Sequence, residues 1–440
     1  MEIKKINIAC EEVVKYNESG DIELCKPNLN KYPIYNIGDG DIYEEYSRYN
    51  PIAVYFKNCD NWFELKTLDY LIKNNQTFIY PIFLYDYSVF EIDVIDLSDD
   101  IVTSIKNNNS KIIFIEHVEG AIHEKYIFKW ISDLSEKYKL PIRNIILISS
   151  NLKITERFNS LVERGLIKNN FSVYPFNYFA NEFWFTEIKG NLMCKDFREF
   201  ISEKEIKINK LKIKNHFLCF NRVPRIHRVC IFGELMTNPL LIGKSITTLG
   251  SVNLINKKEP NLSYVIESSL SSDYEDKNRL LEFFNSYDAL KEYRYDNDLS
   301  QNQAEIINIS AHNESFINIV TETIHHQNYI FFSEKTYKPI YAKQPFIILG
   351  GPHYLKTLKK HGYRTFGEWW DESYDNEIDF TKRFKKIVSL LEEISKWSLE
   401  RCEDVRFEMR QILNHNYKVM IDNKESIKLY NYLEGKTNFI

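Results

Sequence analysis

Glycine and proline are scarce, at 14 and 12 of 440 residues, which leaves little room for flexible linkers or low-complexity tracts. Long apolar runs are absent as well. No window approaches the ~18 uninterrupted apolar residues of a bilayer-spanning helix, and the start, Met1-Glu2-Ile3-Lys4-Lys5-Ile6, has no apolar segment of the secretory kind. The expectation is a cytoplasmic protein without a membrane span, in a cell or a virus-infected cell. Neither sign of charge dominates: 57 basic against 62 acidic residues leave a formal net charge of -5, so no global attraction to nucleic acid or anionic membrane exists, although a local basic patch can still hold phosphate.

The seven cysteines (Cys10, Cys25, Cys59, Cys194, Cys219, Cys230 and Cys402) are dispersed, odd in number and without a C-x-x-C pair. That suits reduced thiols rather than a disulfide framework or a zinc site, and Cys219 and Cys230, in apolar surroundings, read as core. Three nucleotide or hydrolase patterns are also missing: G-x-x-x-x-G-K-[ST], G-x-G-x-x-G after the first strand, and G-x-S-x-G. P-loop ATPases, kinases and the common hydrolases are disfavoured accordingly.

What is present is material for large cores. Hydrophobic residues make up 44% and aromatics 15% of the chain, and its length exceeds the roughly 250 to 300 residues at which one core stops growing, so two domains are expected. Four short β-branched or aromatic runs, Ile52–Phe56, Thr77–Leu84, Ile112–Ile115 and Ile145–Ile148, have the form of strands buried on both faces. Tyr126–Leu134 reads as an amphipathic crossover helix between two of them, and the alternation implies a parallel sheet. A charged, helix-prone stretch around residues 195 to 215 marks a boundary. Beyond it a second set of strands is expected at His216–Phe220, Glu305–Ser310, Ser315–Val320 and Pro345–Leu349. The expected domains are 1–205, 206–395 with 251–303 as a helical insertion, and a helical segment 396–440; Phe384–Ile394 and Val405–Leu413 both show helical apolar spacing.

Candidate chemistry gathers in the second half. Asn221-Arg222-Val223-Pro224-Arg225-Ile226-His227-Arg228 follows a predicted strand and precedes a predicted helix. Three arginines at such a turn suit a diphosphate, because guanidinium donates bidentately and a helix amino terminus adds positive potential; a solvated loop paired with surface carboxylates is the plain alternative. Glu322 closes another predicted strand. Ser333-Glu334-Lys335 then opens a helix, where a carboxylate can accept both ribose hydroxyls and the lysine can neutralise phosphate; alternatively Ser333 is only a cap, with Glu334 and Lys335 exposed in the first turn. His325 and His326, without acidic or cysteine neighbours at ligand spacing, are weak metal candidates. In the first half, Glu116 and Glu119 flank His117 just after a strand, where a carboxylate of raised pKa can deprotonate an acceptor hydroxyl; ordinary surface acids fit the same position. Asp39, in Gly38-Asp39-Gly40, is a lesser candidate, since that tripeptide more often marks a tight turn.

Residues 216 to 352 resemble the donor domain of the α1,3-fucosyltransferase family and its uncharacterised viral and bacterial relatives. The resemblance rests on Arg228–Leu235, Phe316–Thr323, Ser333-Glu334-Lys335 and Pro345–Gly350, in that order. Thr323 stands where the family has asparagine, and Gly120-Ala121 replaces the family's Ser/Pro after the base glutamate. The resemblance implies an α/β GT-B architecture, two Rossmann-like domains with parallel sheets facing across a cleft. It implies an inverting, metal-independent glycosyltransferase that moves a sugar from a nucleoside-diphosphate sugar, GDP-fucose-like, to a glycan or other hydroxyl acceptor, with the donor as co-substrate and no further cofactor. By residue, it implies Arg228 and Lys335 on the diphosphate, Glu334 on the ribose, Glu322 near the donor sugar, and Glu119 as base; the residues themselves add Arg225 as a diphosphate ligand and Glu116 as the other candidate base. Two other readings stay open: a non-catalytic glycan- or protein-binding module on the same scaffold, and a transferase that adds sugar to DNA bases.

Overall fold

The computed structural model describes residues 5–10, 12–16, 22–26, 62–84, 97–116, 124–168, 170–178, 180, 212–250, 262–287, 308–325, 329–422 and 424–436. The expected strand 52–56, the Asp39 turn, His117, Glu119 and His326 lie outside these residues. The chain forms two compact units, one of residues 1–193 with 423–440 and the other of residues 194–422.

The first unit contains β1 (Ile6–Cys10), β2 (Glu12–Tyr16), β3 (Ile22–Lys26), β4 (Phe63–Thr67), α1 (Leu68–Lys73), β5 (Phe78–Leu84), α2 (Asp99–Lys106), β6 (Ser110–Glu116), α3 (Glu124–Tyr138), β7 (Ile145–Ser149), α4 (Ile154–Glu163) and β8 (Ser172–Pro175). Six strands form one sheet in the order β4-β1-β5-β6-β7-β8, every neighbouring pair parallel. β2 and β3 pair antiparallel as a separate two-stranded sheet. The continuous apolar runs of β6 and β7 are buried at every position because both faces are covered. On one face Phe114 meets Trp130 of α3 edge to face at 5.4 Å and Phe128 meets Phe158 of α4 at 4.9 Å. On the other, Ile113, Ile115, Ile146 and Ile148 share a cluster with Leu429, Tyr430 and Leu433 from the end of the chain.

The second unit contains β9 (Asn215–Cys219), α5 (Ile226–Thr237), β10 (Ser245–Thr247), α6 (Leu262–Ser269), α7 (Lys277–Ser286), α8 (Ile309–Glu314), β11 (Ser315–Thr321), α9 (Glu334–Tyr341), β12 (Phe346–Leu349), α10 (Tyr354–Lys360), α11 (Phe380–Ile394), α12 (Leu399–Glu408) and α13 (Arg410–Ile421). Its sheet runs β10-β9-β11-β12, again all parallel. The last helix, α14 (Glu425–Lys436), belongs to the first unit, where Tyr432 packs on Tyr174 of β8 with ring centroids 4.4 Å apart.

The fold class is therefore α/β with two Rossmann-like parallel sheets. One expected strand is corrected. Within Glu305–Ser310, the described part turns into a helix, because the Asn308 side chain accepts from the Ala311 N–H at 3.0 Å and so caps α8, which runs directly into β11. The run Val405–Leu413 is likewise two helices meeting at Met409. Within the expected insertion 251–303, the described residues hold α6 and α7. They dock on α5: Gly233 lets Leu280 and Phe284 come within 2.8 Å of where its Cβ would stand. The buried Glu234 carboxylate accepts from the Tyr274 hydroxyl at 2.7 Å, Asn238 at 3.1 Å and Arg279 at 2.7 Å.

Candidate functional site

In an open parallel sheet, the crevice beyond the carboxyl ends of the strands forms where the strand order reverses. In the second unit the reversal lies between β9 and β11, because β10 is added on one side of β9 and β11 on the other. Asn221, just past β9, spans that point: its side-chain oxygen accepts from the Thr321 hydroxyl at 2.6 Å, and its backbone N–H donates to Thr248 Oγ1 at 2.9 Å. Both strand ends are thereby fixed in register before the chain reaches its charged residues.

Arg225 is the N-cap of α5 and gives one guanidinium N–H to the Thr323 carbonyl at 2.5 Å. Arg228, one turn on, is buried and donates to the carbonyls of Val223 and Thr321, both at 3.2 Å. Between them His227 donates from Nε2 to the Glu322 carbonyl at 2.6 Å, and its ring lies 4.4 Å from that of His325. Burial first, then the charges of His325 and Arg228, hold this imidazole well below its ordinary pKa, so it is neutral. From α11, Arg383 reaches the His325 carbonyl at 2.9 Å. Four carbonyls of the turn 321–325 are thus taken by side chains: those of Arg225 and Arg228, the expected phosphate ligands, and those of His227 and Arg383. Arg222, the first arginine of the run, is exposed.

Glu322 follows β11 and is 1% exposed. Its Oε1 accepts from the Thr336 hydroxyl at 2.5 Å, the Tyr354 hydroxyl at 2.7 Å and the Ser333 N–H at 3.3 Å, while Oε2 accepts from the Thr323 N–H at 3.2 Å. Burial and the facing Glu322 charge push the Tyr354 phenol well above its ordinary pKa, so it stays a donor. Tyr354 can reach that place because Gly350 ends the preceding strand segment: a Cβ there would stand 2.9 Å from the tyrosine ring.

Ser333 caps α9, its hydroxyl accepting from the Lys335 N–H at 3.2 Å. The first turn is not exposed as a merely capped helix would be. Glu334 is 6% exposed; one carboxylate oxygen pairs with the Lys335 ammonium at 2.5 Å, and the other, Oε2, is buried with no hydrogen-bond partner. Burial opposes its charge, but the ammonium groups of Lys335 and Lys338, with hydrogen bonds from Lys335 and its own N–H, hold the carboxyl below its ordinary range. Lys335 Nζ also stands 3.4 Å from both Thr323 Oγ1 and Ser333 Oγ. The result is an ionised carboxylate with spare acceptor capacity beside an ammonium at a helix N-terminus, a place suited to a polyhydroxyl group joined to an anion.

In the first unit Glu116 ends β6, fully buried, and accepts from the Ser149 hydroxyl across the β6–β7 pair. Ser149 Oγ in turn accepts from the Asn151 N–H at 3.0 Å. Among the described residues no cluster of three or more His, Cys, Asp or Glu side chains is placed to hold a metal ion, and no helix is long and apolar enough to cross a membrane. Cys10, Cys219, Cys230 and Cys402 are buried.

The structure brings Arg225, Arg228, Glu322, Glu334 and Lys335 together around one sheet edge. Asn221, named in the sequence only as the start of the arginine run, belongs to the same constellation, as do Thr336, Tyr354 and Arg383, which were not among the candidates; of these three Tyr354 had a local signal, lying four residues beyond a glycine that ends an apolar strand.

No protein-family model matches the chain, and no curated protein matches it. Among solved structures, the crystal structure of an alpha1,3-fucosyltransferase is similar over 96% of this chain and 91% of that one, with 9% sequence identity and a TM-score of 0.38.

Proposed function

We propose that the second unit binds a nucleoside-diphosphate sugar at the carboxyl edge of its sheet, and that the protein is an inverting, metal-independent glycosyltransferase of the GT-B kind. The observation that carries this reading is the buried, partnerless Oε2 of Glu334 beside Lys335 at the start of α9. An ionised carboxylate so placed calls for hydroxyl donors, which the ribose supplies, while the ammonium faces the diphosphate. Arg225 adds a half-buried guanidinium from the start of α5. Arg228 contributes its positive charge while holding the turn.

In the reaction, the acceptor hydroxyl oxygen attacks the anomeric carbon as the bond to the diphosphate oxygen breaks. The electron pair leaves on the diphosphate, stabilised by Lys335 and Arg225, and the acceptor proton passes to a carboxylate base, for which Glu119 and Glu116 are our candidates. The donor is a hexose or deoxyhexose on a nucleoside diphosphate, GDP-fucose-like, and the acceptor is a glycan or another hydroxyl-bearing molecule.

Isothermal titration of the full chain with GDP-, UDP-, dTDP- and CMP-sugars tests the reading. One donor binds, and Lys335→Ala weakens it about ten- to a hundredfold, the effect of removing a charge-assisted hydrogen bond, with the melting temperature little changed. Unchanged affinity and turnover in Lys335→Ala would sink the assignment. Absence of affinity for every nucleotide would point instead to a binding module.

A further inference from the structure

We infer that Glu322 is a positioning residue: it touches no ligand and sets the place of Ser333, Glu334 and Lys335 through the hydroxyls of Thr336 and Tyr354. The inference rests on the proposed nucleotide site only for its consequence, not for its geometry. An ionised carboxylate has about four acceptor positions. Glu322 engages both oxygens with four donors, three on Oε1 (Thr336 Oγ1, Tyr354 OH and the Ser333 N–H) and one on Oε2 (the Thr323 N–H). At 1% exposure it has no face left for a sugar hydroxyl.

The donors come from different parts of the unit. Thr323 continues from β11, Ser333 and Thr336 belong to the start of α9, and Tyr354 opens α10. One charge therefore ties a sheet edge to two helices, and the tie passes through the residue whose hydroxyl caps α9. Thr336 Oγ1 and Tyr354 OH also lie 2.9 Å apart, and the Phe331 carbonyl, 3.2 Å from Tyr354 OH, competes with the closer Glu322 for the single phenol proton. Loss of the tie leaves Ser333 free to swing and carries Glu334 and Lys335 with it. The contrast with Glu334 is direct: of two buried glutamates near one helix start, one has both oxygens engaged and the other has an oxygen without a partner.

The test uses near-isosteric variants that keep the buried carboxylate, because Glu322→Gln alone risks a folding defect. Thr336→Val, Tyr354→Phe and the double variant are compared with wild type and with Thr336→Ser by amide hydrogen exchange of the full chain without ligand. Exchange at the amides of Ser333, Lys335, Thr336 and Tyr337 should rise about tenfold in each single variant, the scale of one lost hydrogen bond to a charge. Thr336→Ser should restore protection, and the amides of β9 and α13 should not change. Unchanged exchange at 333–337 in the double variant, or a rise spread evenly over the unit, would overturn the assignment. Binding is read separately with GDP, UDP and dTDP: Thr336→Val should weaken the bound nucleotide in the wild-type background and have little further effect in Lys335→Ala. Fully additive losses would mean that Glu322 does not act through Lys335, overturning the inference. If no nucleotide binds wild type while the local exchange effect appears, the positioning role stands and the transferase reading fails.

Discussion

Gly350→Ala probes the packing on which the whole site depends. The added Cβ would stand 2.9 Å from Tyr354 Cδ2, 3.3 Å from Cε2 and 3.4 Å from Ile348 Cγ2, against an ordinary contact of 3.4 to 4 Å. Gly350 is not among the glycines of positive φ, so an alanine is tolerated by the backbone and the cost is one of packing. Tyr354 is 2% exposed and cannot swing into solvent. Its ring must give by about half an ångström in a close-packed interior, which costs about 1–3 kcal/mol. The same shift stretches the 2.7 Å bond from its hydroxyl to Glu322, and weakening a hydrogen bond to a buried charge costs up to about 1.5–3 kcal/mol. The expected loss is therefore about 2–4 kcal/mol, read as a lower midpoint of urea unfolding at unchanged slope. Tyr354→Phe removes only the hydroxyl contribution, and in the double variant that contribution is counted once, so the two losses should fall short of additivity by about 1 kcal/mol or more. A Gly350→Ala loss below about 0.5 kcal/mol, the scale of a neutral surface change, or full additivity with Tyr354→Phe would refute the chain of contact from Gly350 to Glu322.

Two further predictions concern the second unit's interior. His312 donates from Nδ1 to Gln344 Oε1 at 2.7 Å, and burial pushes its imidazole down to about 3. With the folded pKa below the ordinary 6.5, the unfolded chain binds the extra proton, so stability is full above 6.5 and falls as pH drops towards 3. Between pH 7 and pH 5 this one group should cost about 2 kcal/mol, and His312→Gln should flatten the pH dependence of urea unfolding by that amount; an unchanged slope would contradict it. Breaking the pair of Arg279 with the fully buried Glu234 by Arg279→Met should cost about 2 kcal/mol, less than a fully buried pair because Arg279 keeps partial water access and Tyr274 and Asn238 remain. Replacing both partners by apolar residues should cost less than the single change, and a larger cost for the double variant, measured by denaturant midpoint, would count against the pairing.

Much of the sheet was legible because parallel strands buried on both faces need unbroken apolar runs, and Ile112–Ile115, Ile145–Ile148, His216–Phe220 and Phe346–Leu349 supply them. β1 was not, although it lies inside the six-stranded sheet: Ile6–Cys10 carries Asn7, whose side chain bonds the Thr77 carbonyl at 2.9 Å, and alternation within five residues is a weak signal. The expected strand over 305–310 failed in its described part for a local reason, since an asparagine cap outweighed an apolar run. At the site, the Ser333 cap was readable from its own neighbours. The engagement of Glu322 was not, because Tyr354 lies 32 residues along the chain and nothing in either segment names the other.

The sequence by itself determined the two parallel α/β units, the helical character of the carboxy-terminal region and the presence of Glu334 and Lys335 at a helix start, since these follow from periodicity, capping and chain length. Tertiary structure decided what each charged group does. Folding places Arg228 on backbone carbonyls, surrounds Glu322 with four donors and leaves one oxygen of Glu334 without a partner. The reason is physical: a side chain's chemistry is set by its residue type, but its free valence is what remains after residues distant in sequence have taken their share.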